Sequence, residues 1–177
     1  RAIGEWWLTR PGGGLDLPAR LPSDGRGLDV VLPAGTGTTA LFLARHVPPG
    51  VNVYAVPCKG DAEQLSSRMR YLDERTGGVG RVPEVLLPLP EDTCKFGAVS
   101  PSILSAWRDA AECGVLLDLH YGPVAWSALE ACGWRPGGGK YAGREVLYVN
   151  MGGHETLESQ MVRYQRAGHL RKYEQGR

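Results

Sequence analysis

The residues best suited to chemistry stand together in Gly35-Thr36-Gly37-Thr38-Thr39. They follow the apolar run Leu28-Asp29-Val30-Val31-Leu32-Pro33 and precede a helix-compatible stretch from Ala40 to His46. Glycines let backbone N–H groups approach a phosphate closely, and threonine hydroxyls add further donors. The N-terminus of the next helix contributes partial positive charge. This pattern reads as a phosphate-binding loop, with an ordinary tight turn between strand and helix as the alternative. Two commoner loops are excluded. The lysine of a GxxxxGK[ST] nucleoside-triphosphate loop is missing, and Ala40 occupies the third glycine position of a GxGxxG fingerprint. Lys59, not an acidic residue, stands at the end of the second apolar run.

Other reactive residue types are dispersed. His46, His120, His154 and His169 form no HExxH pattern, so no metal site is expected. His154-Glu155 reads as a solvent-facing helix start, with Glu155 favoured by the helix dipole. Cys58, Cys94, Cys113 and Cys132 contain no CxxC pair and read as reduced packing residues. Lys59 beside Cys58 is the arrangement that lowers a thiol pKa, but a packed small residue is the expectation there. Ser102 and Ser105 lack a nucleophile-elbow context. The basic tail residues Arg163, Arg166, Arg171, Lys172 and Arg177 interleave with Tyr164 and Tyr173, a pattern that can bind RNA. A solvated helix face is the expected use of so short a stretch.

The elements that must position the loop alternate between two periods. Short apolar runs at Leu28–Pro33, Val51–Val56, Val85–Leu87, Val115–Asp118 and Val146–Val149 predict strands buried on both faces. Helices are predicted between them. One starts at the cap Asp61, with a stripe of Ala62, Leu65, Met69 and Leu72. A second starts at Ser100-Pro101, with Ile103, Leu104, Trp107, Ala110 and Ala111. Two more span Val124 to Cys132 and about Glu155 to Ala167. Alternating strands and helices predict an α/β fold, a three-layer parallel sheet with helices on both faces.

The 177 residues suffice for one ordinary domain. The organisation expected is a helix end and Gly/Pro-rich connector over 1–27, an α/β lobe over 28–153, and a helix with a basic tail over 154–177. A formal net charge of +1 gives no global attraction for nucleic acid or an anionic membrane. No apolar run approaches the roughly 20 residues of a membrane span. The chain opens at Arg1 without an initiator Met, and Ala2 to Leu8 reads as the tail of a helix. A processed precursor or a piece of a longer polypeptide is therefore expected, soluble and intracellular, in the cytoplasm or in an organelle.

Five ordered blocks resemble the C-terminal half of pyridoxal-phosphate-dependent fold-type II enzymes, the tryptophan-synthase-β type. The nearest branch is that of D-cysteine desulfhydrase and aminocyclopropane-carboxylate deaminase. The blocks are Val30 to Thr39, Val53 to Val56, Phe96-Gly97 with the following helix, Gly114 to Tyr121, and Val146 to Gly153. The resemblance implies that Gly35, Thr36, Gly37, Thr38 and Thr39 hold the phosphate of pyridoxal 5'-phosphate. It places Tyr121 beside the cofactor ring as the one catalytic candidate, with a helix-start aromatic packed on the sheet as the alternative, and Met151 and Gly152 at the ring's nitrogen end.

This sequence departs from the pattern at several points. Met151 replaces a threonine able to hydrogen-bond the pyridine nitrogen, Gly122 replaces a polar neighbour, and Pro123-Val124 replaces Gly-Lys. The cofactor-binding lysine belongs to an N-terminal Gly-Asn-Lys context, and Lys59, Lys95, Lys140 and Lys172 stand in no such motif. The resemblance thus implies a lobe that is not catalytically self-sufficient, completed by a lysine-bearing N-terminal half or partner that also covers the sheet edge. The alternatives are a catalytically dead homologue serving as an accessory subunit, and a binding module for nucleotides or other phosphates.

Overall fold

The computed structural model describes residues 27–90, 96–134 and 144–170. The expected N-terminal helix end with Trp6 and Trp7, the triglycine loop at 137–139 and the tail beyond residue 170 lie outside the described residues.

Strand β1 (Leu28–Ala34) has all seven residues buried. It pairs in parallel with β2 (Val51–Pro57) from Leu28↔Val51 to Ala34↔Pro57, and with β4 (Glu145–Tyr148) from Leu28↔Glu145 to Val31↔Tyr148. A two-residue β3 (Glu84–Val85) adds to β2, so the sheet order is β3-β2-β1-β4. Side-chain alternation along β1 divides the core. Leu28, Val30 and Leu32 pack with Ala40 and Ala44 of α1 (Thr38–His46) and with Leu65 and Met69 of α2 (Ala62–Arg75). Val31 packs on the other face with Ile103 and Ala110 of α3 (Pro101–Glu112) and Ala125 of α4 (Gly122–Ala131). Each fully buried leucine contributes roughly 1.5–3 kcal/mol.

The helix faces follow from connection handedness. The chain moves from β1 to β2 to β3 in one direction, and right-handed crossovers put α1 and α2 on one face. The return from β3 to β4 runs the other way, which puts α3 and α4 opposite. The result is α/β, an all-parallel described sheet with helices on both faces, compatible with a three-layer architecture. Helix α5 (Leu157–Arg166) follows a 3₁₀ turn over His154–Thr156 and buries Tyr164 against Leu104 and Leu119.

Most local signals act as expected. The Asp61 carboxylate caps α2 by accepting the Gln64 N–H at 2.8 Å. Pro101 occupies the first turn of α3, although the Ser100 hydroxyl meets Ser102 Oγ at 2.8 Å rather than a backbone amide. Helix α4 is buried along Gly122 to Leu129, as a helix apolar on every side must be.

Two strand expectations are corrected. Residues 115–118 join no ladder. The Leu117 carbonyl accepts the Trp107 indole N–H at 2.8 Å, and the Leu116 carbonyl accepts Asn150 Nδ2 at 2.9 Å. Side chains thus use backbone groups that a neighbouring strand would otherwise pair. The run at 85–87 yields only the end of β3, because the chain leaves β2 after Leu86 N–H donates to Ala55 O at 3.0 Å, and Leu87 is exposed.

Behind the sheet, Arg45 of α1 donates from Nε to Asp73 Oδ1 of α2 at 2.9 Å, and also reaches the Asp73 and Thr76 carbonyls. The guanidinium hydrogen bond holds the Asp73 carboxyl below its ordinary pKa of 3.8, burial opposing it. A carboxylate whose folded value is lowered stabilises the fold above the unfolded value, and the effect is lost as pH falls through the folded one. Asp73→Asn should therefore lower the urea midpoint at pH 7, and the gap from wild type should close as pH falls below 3.8. A gap independent of pH would show that the pair is not the source.

Candidate phosphate-binding site

The loop between β1 and α1 owes its shape to one glycine. Gly37 caps α1 with φ of 84° and is buried. A Cβ there would lie 2.4 Å from Met69 Cγ and 3.0 Å from Leu65 Cδ1, both on α2. Only glycine meets both the left-handed backbone and the close approach. The first helical bond runs from Leu41 N–H to Gly37 O at 2.9 Å, leaving the amides of the preceding turn uncommitted to the helix. Thr36 Oγ1 and Thr38 Oγ1 stand 3.0 Å apart and, like Thr39, both residues are exposed. No acidic residue occupies the first turn of α1, so the helix dipole there is unopposed.

Tyr121 enters from the start of α4. Its ring Cε1 and hydroxyl lie 3.8 Å from the point where a Gly35 side chain would begin. The turn that aims it is set by Asp118, a residue the sequence offered only as a strand end. The buried Asp118 carboxylate accepts the N–H of His120 at 2.6 Å, of Tyr121 at 2.7 Å and of Gly122 at 3.0 Å. Charge-assisted bonds of this kind offset the cost of burying a carboxylate. The signal in the sequence was an aspartate followed at two to four residues by a helix start, the pattern of an Asx cap.

The third wall follows β4. Gly152 and Gly153 take φ of 80° and 91°, and a Cβ on Gly153 would stand 3.3 Å from Asp118 Cβ. Asn150 holds this turn, accepting Gly152 N–H at 3.1 Å while donating to Leu116 O. Met151 projects 45% exposed. The three walls enclose a cavity of about 210 Å³ whose lining includes every site residue expected from sequence: Gly35, Thr36, Gly37, Thr38, Thr39, Tyr121, Met151 and Gly152. Gly153 joins them.

Other expected residues fall elsewhere. His154 and Glu155 are exposed in the 3₁₀ turn, and a His154 ring nitrogen lies 3.0 Å from Leu116 O. Cys58 is buried, its thiol donating to the Val56 and Tyr121 carbonyls at 3.5 and 3.6 Å. Beneath the site the Tyr148 hydroxyl donates to Gly122 O at 3.2 Å. Burial, then the nearby Asp118 charge, pushes its pKa well above the ordinary tyrosine value, so it stays a neutral donor. Among the described residues no group of histidine, cysteine and acidic side chains could hold a metal ion, and no helix is long and apolar enough to cross a membrane.

The chain matches no family model, and no curated protein matches it.

Removing the Asp118 carboxylate strands three amides around the site. Asp118→Ala should lower unfolding free energy by about 3 kcal/mol or more in urea denaturation, given roughly 1–3 kcal/mol for each buried group left unpaired. A loss under about 1 kcal/mol would mean that the turn satisfies its amides in another way. Gly37→Ala should cost about 1–3 kcal/mol from backbone strain, with the Met69 contact adding to it.

Proposed function

We propose that this cavity binds the phosphate of a small phosphate ester, pyridoxal 5'-phosphate being the ester that the sequence resemblance implies. The observation that carries this reading is the meeting of the loop after β1 with the turns led by Tyr121 and Gly152 in one cavity. That place lies beyond the carboxyl ends of β1 and β4, where the strand order reverses and ligands of open α/β sheets bind. Gly35 and Gly37 allow the approach, uncommitted amides of the first turn of α1 supply donors, and Thr36 and Thr38 add hydroxyls. These residues fit a phosphate dianion, and Tyr121 offers a flat side to a ring attached to it.

The other end of the cavity fits the catalytic cofactor poorly. Met151, at the position assigned to the pyridine nitrogen, has a thioether that donates no hydrogen bond. Asn150, next to it, has its amide engaged at both ends. Lys59 is the one lysine among the described residues and does not line the cavity. A cofactor of this kind supplies an electron sink to an amino-acid substrate, and that chemistry needs a lysine and a polar partner for the ring nitrogen. We therefore assign no reaction to this chain alone. In a desulfhydrase- or deaminase-like enzyme, a lysine-bearing segment or partner would have to complete the site. Met151 also favours a second reading, in which the lobe serves as an accessory subunit without catalysis.

The purified chain should bind pyridoxal 5'-phosphate and inorganic phosphate saturably and in mutual competition by calorimetry. Thr38→Glu, which places a carboxylate in the first turn of α1, should raise helix stability slightly and weaken both ligands at least tenfold. Turnover of an amino-acid substrate by the chain alone with added pyridoxal 5'-phosphate would overturn the absence of catalytic self-sufficiency. Failure to bind either ligand would leave the accessory-subunit reading standing.

A further inference from the structure

A second and larger cavity, about 290 Å³, lies on the other side of the Tyr121 turn. Its walls are mainly apolar and include Ile103 of α3, Leu119, Val124 of α4, Leu87 and Phe96, with Cys58 and His120 among them. The Phe96 ring stacks on His120 at 5.3 Å with 25° between planes, and meets Tyr121 at 4.9 Å. Phe96 is 44% exposed although its neighbours are largely covered, so part of one aromatic surface is left to solvent. Gly97, at φ of 72°, leaves room for the His120 ring, since a Cβ there would stand 3.4 Å from Cδ2. The Asp118 bond to the His120 amide fixes the backbone of this wall just as it fixes Tyr121.

These features select a class of occupant. The Cys58 thiol is engaged, donating to the Val56 and Tyr121 carbonyls. The Asp61 carboxylate at the rim is occupied with the α2 cap. What is left to recognise a ligand is apolar area and a stacked aromatic wall, at a volume near the lower end for small-molecule sites. Aromatic rings favour offset or edge contacts with such a wall. We propose that this cavity is a binding site for a small planar aromatic group, held against Phe96 and His120. The site is separate from the phosphate cavity, and its occupation does not depend on what the phosphate loop binds.

The test uses indole as probe, followed by NMR on the full chain. Wild type should bind indole saturably, with shifts at His120 and Phe96, and isobutanol should bind at least tenfold more weakly. Leu87→Trp alters an exposed rim residue and should fold normally, yet fill the mouth and weaken indole at least tenfold without changing inorganic phosphate affinity. Phe96→Ala should weaken indole at least fivefold. The proposal is overturned if indole does not saturate, if Leu87→Trp leaves its affinity unchanged, or if isobutanol binds as well. Phosphate binding is read separately, so its failure leaves this result intact.

Discussion

Everything in this lobe depends on burying β1 on all sides. A strand with seven covered residues must find hydrogen-bond partners on both edges and apolar layers on both faces. Pairing with β2 on one edge and β4 on the other satisfies the backbone. The helices follow by handedness, α1 and α2 to one side and α3 and α4 to the other. Because the chain leaves β1 toward β2 while β4 comes back from the other direction, a crevice opens at the carboxyl ends of β1 and β4. The candidate site occupies that crevice.

At the opposite end of β1, the buried Asp29 carboxylate ties the strands together. Asp29 Oδ1 accepts Asn52 Nδ2 at 2.8 Å and Arg144 Nε at 2.7 Å. Arg144 also donates to the Leu28 and Gly50 carbonyls. A buried charge paired in this way contributes modestly to stability, while loss of its partner is costly. Asp29 and Asp118 thus act at the two ends of the sheet. The first fixes the register of β1 against its neighbours, and the second fixes the turns that line the candidate site.

Asp118 also explains why the two cavities sit side by side. One carboxylate orients consecutive residues, so His120 turns to one cavity and Tyr121 to the other, with Phe96 touching both rings. Gly122 has no room for a side chain, since a Cβ would fall 2.8 Å from Leu117 Cβ. The Met151 side chain, by contrast, is exposed at the rim of the candidate site.

The sequence by itself determined the alternation of strands and helices, the Asp61 cap, the apolar stripe of α2 and the glycine-rich loop. These are local matters of period, capping and backbone freedom, legible from neighbours in the chain. The need for glycine at Gly37 was legible there too, since a tight turn from strand to helix calls for a left-handed backbone. Tertiary structure alone decided that residues 115–118 would be a connector outside the sheet ladder, because its carbonyls are claimed by Trp107 and Asn150 from elsewhere in the chain. It also decided that Phe96, His120 and Cys58 would line a second cavity. Those roles depend on contacts between residues far apart in sequence, and no local pattern encodes a distance of that kind.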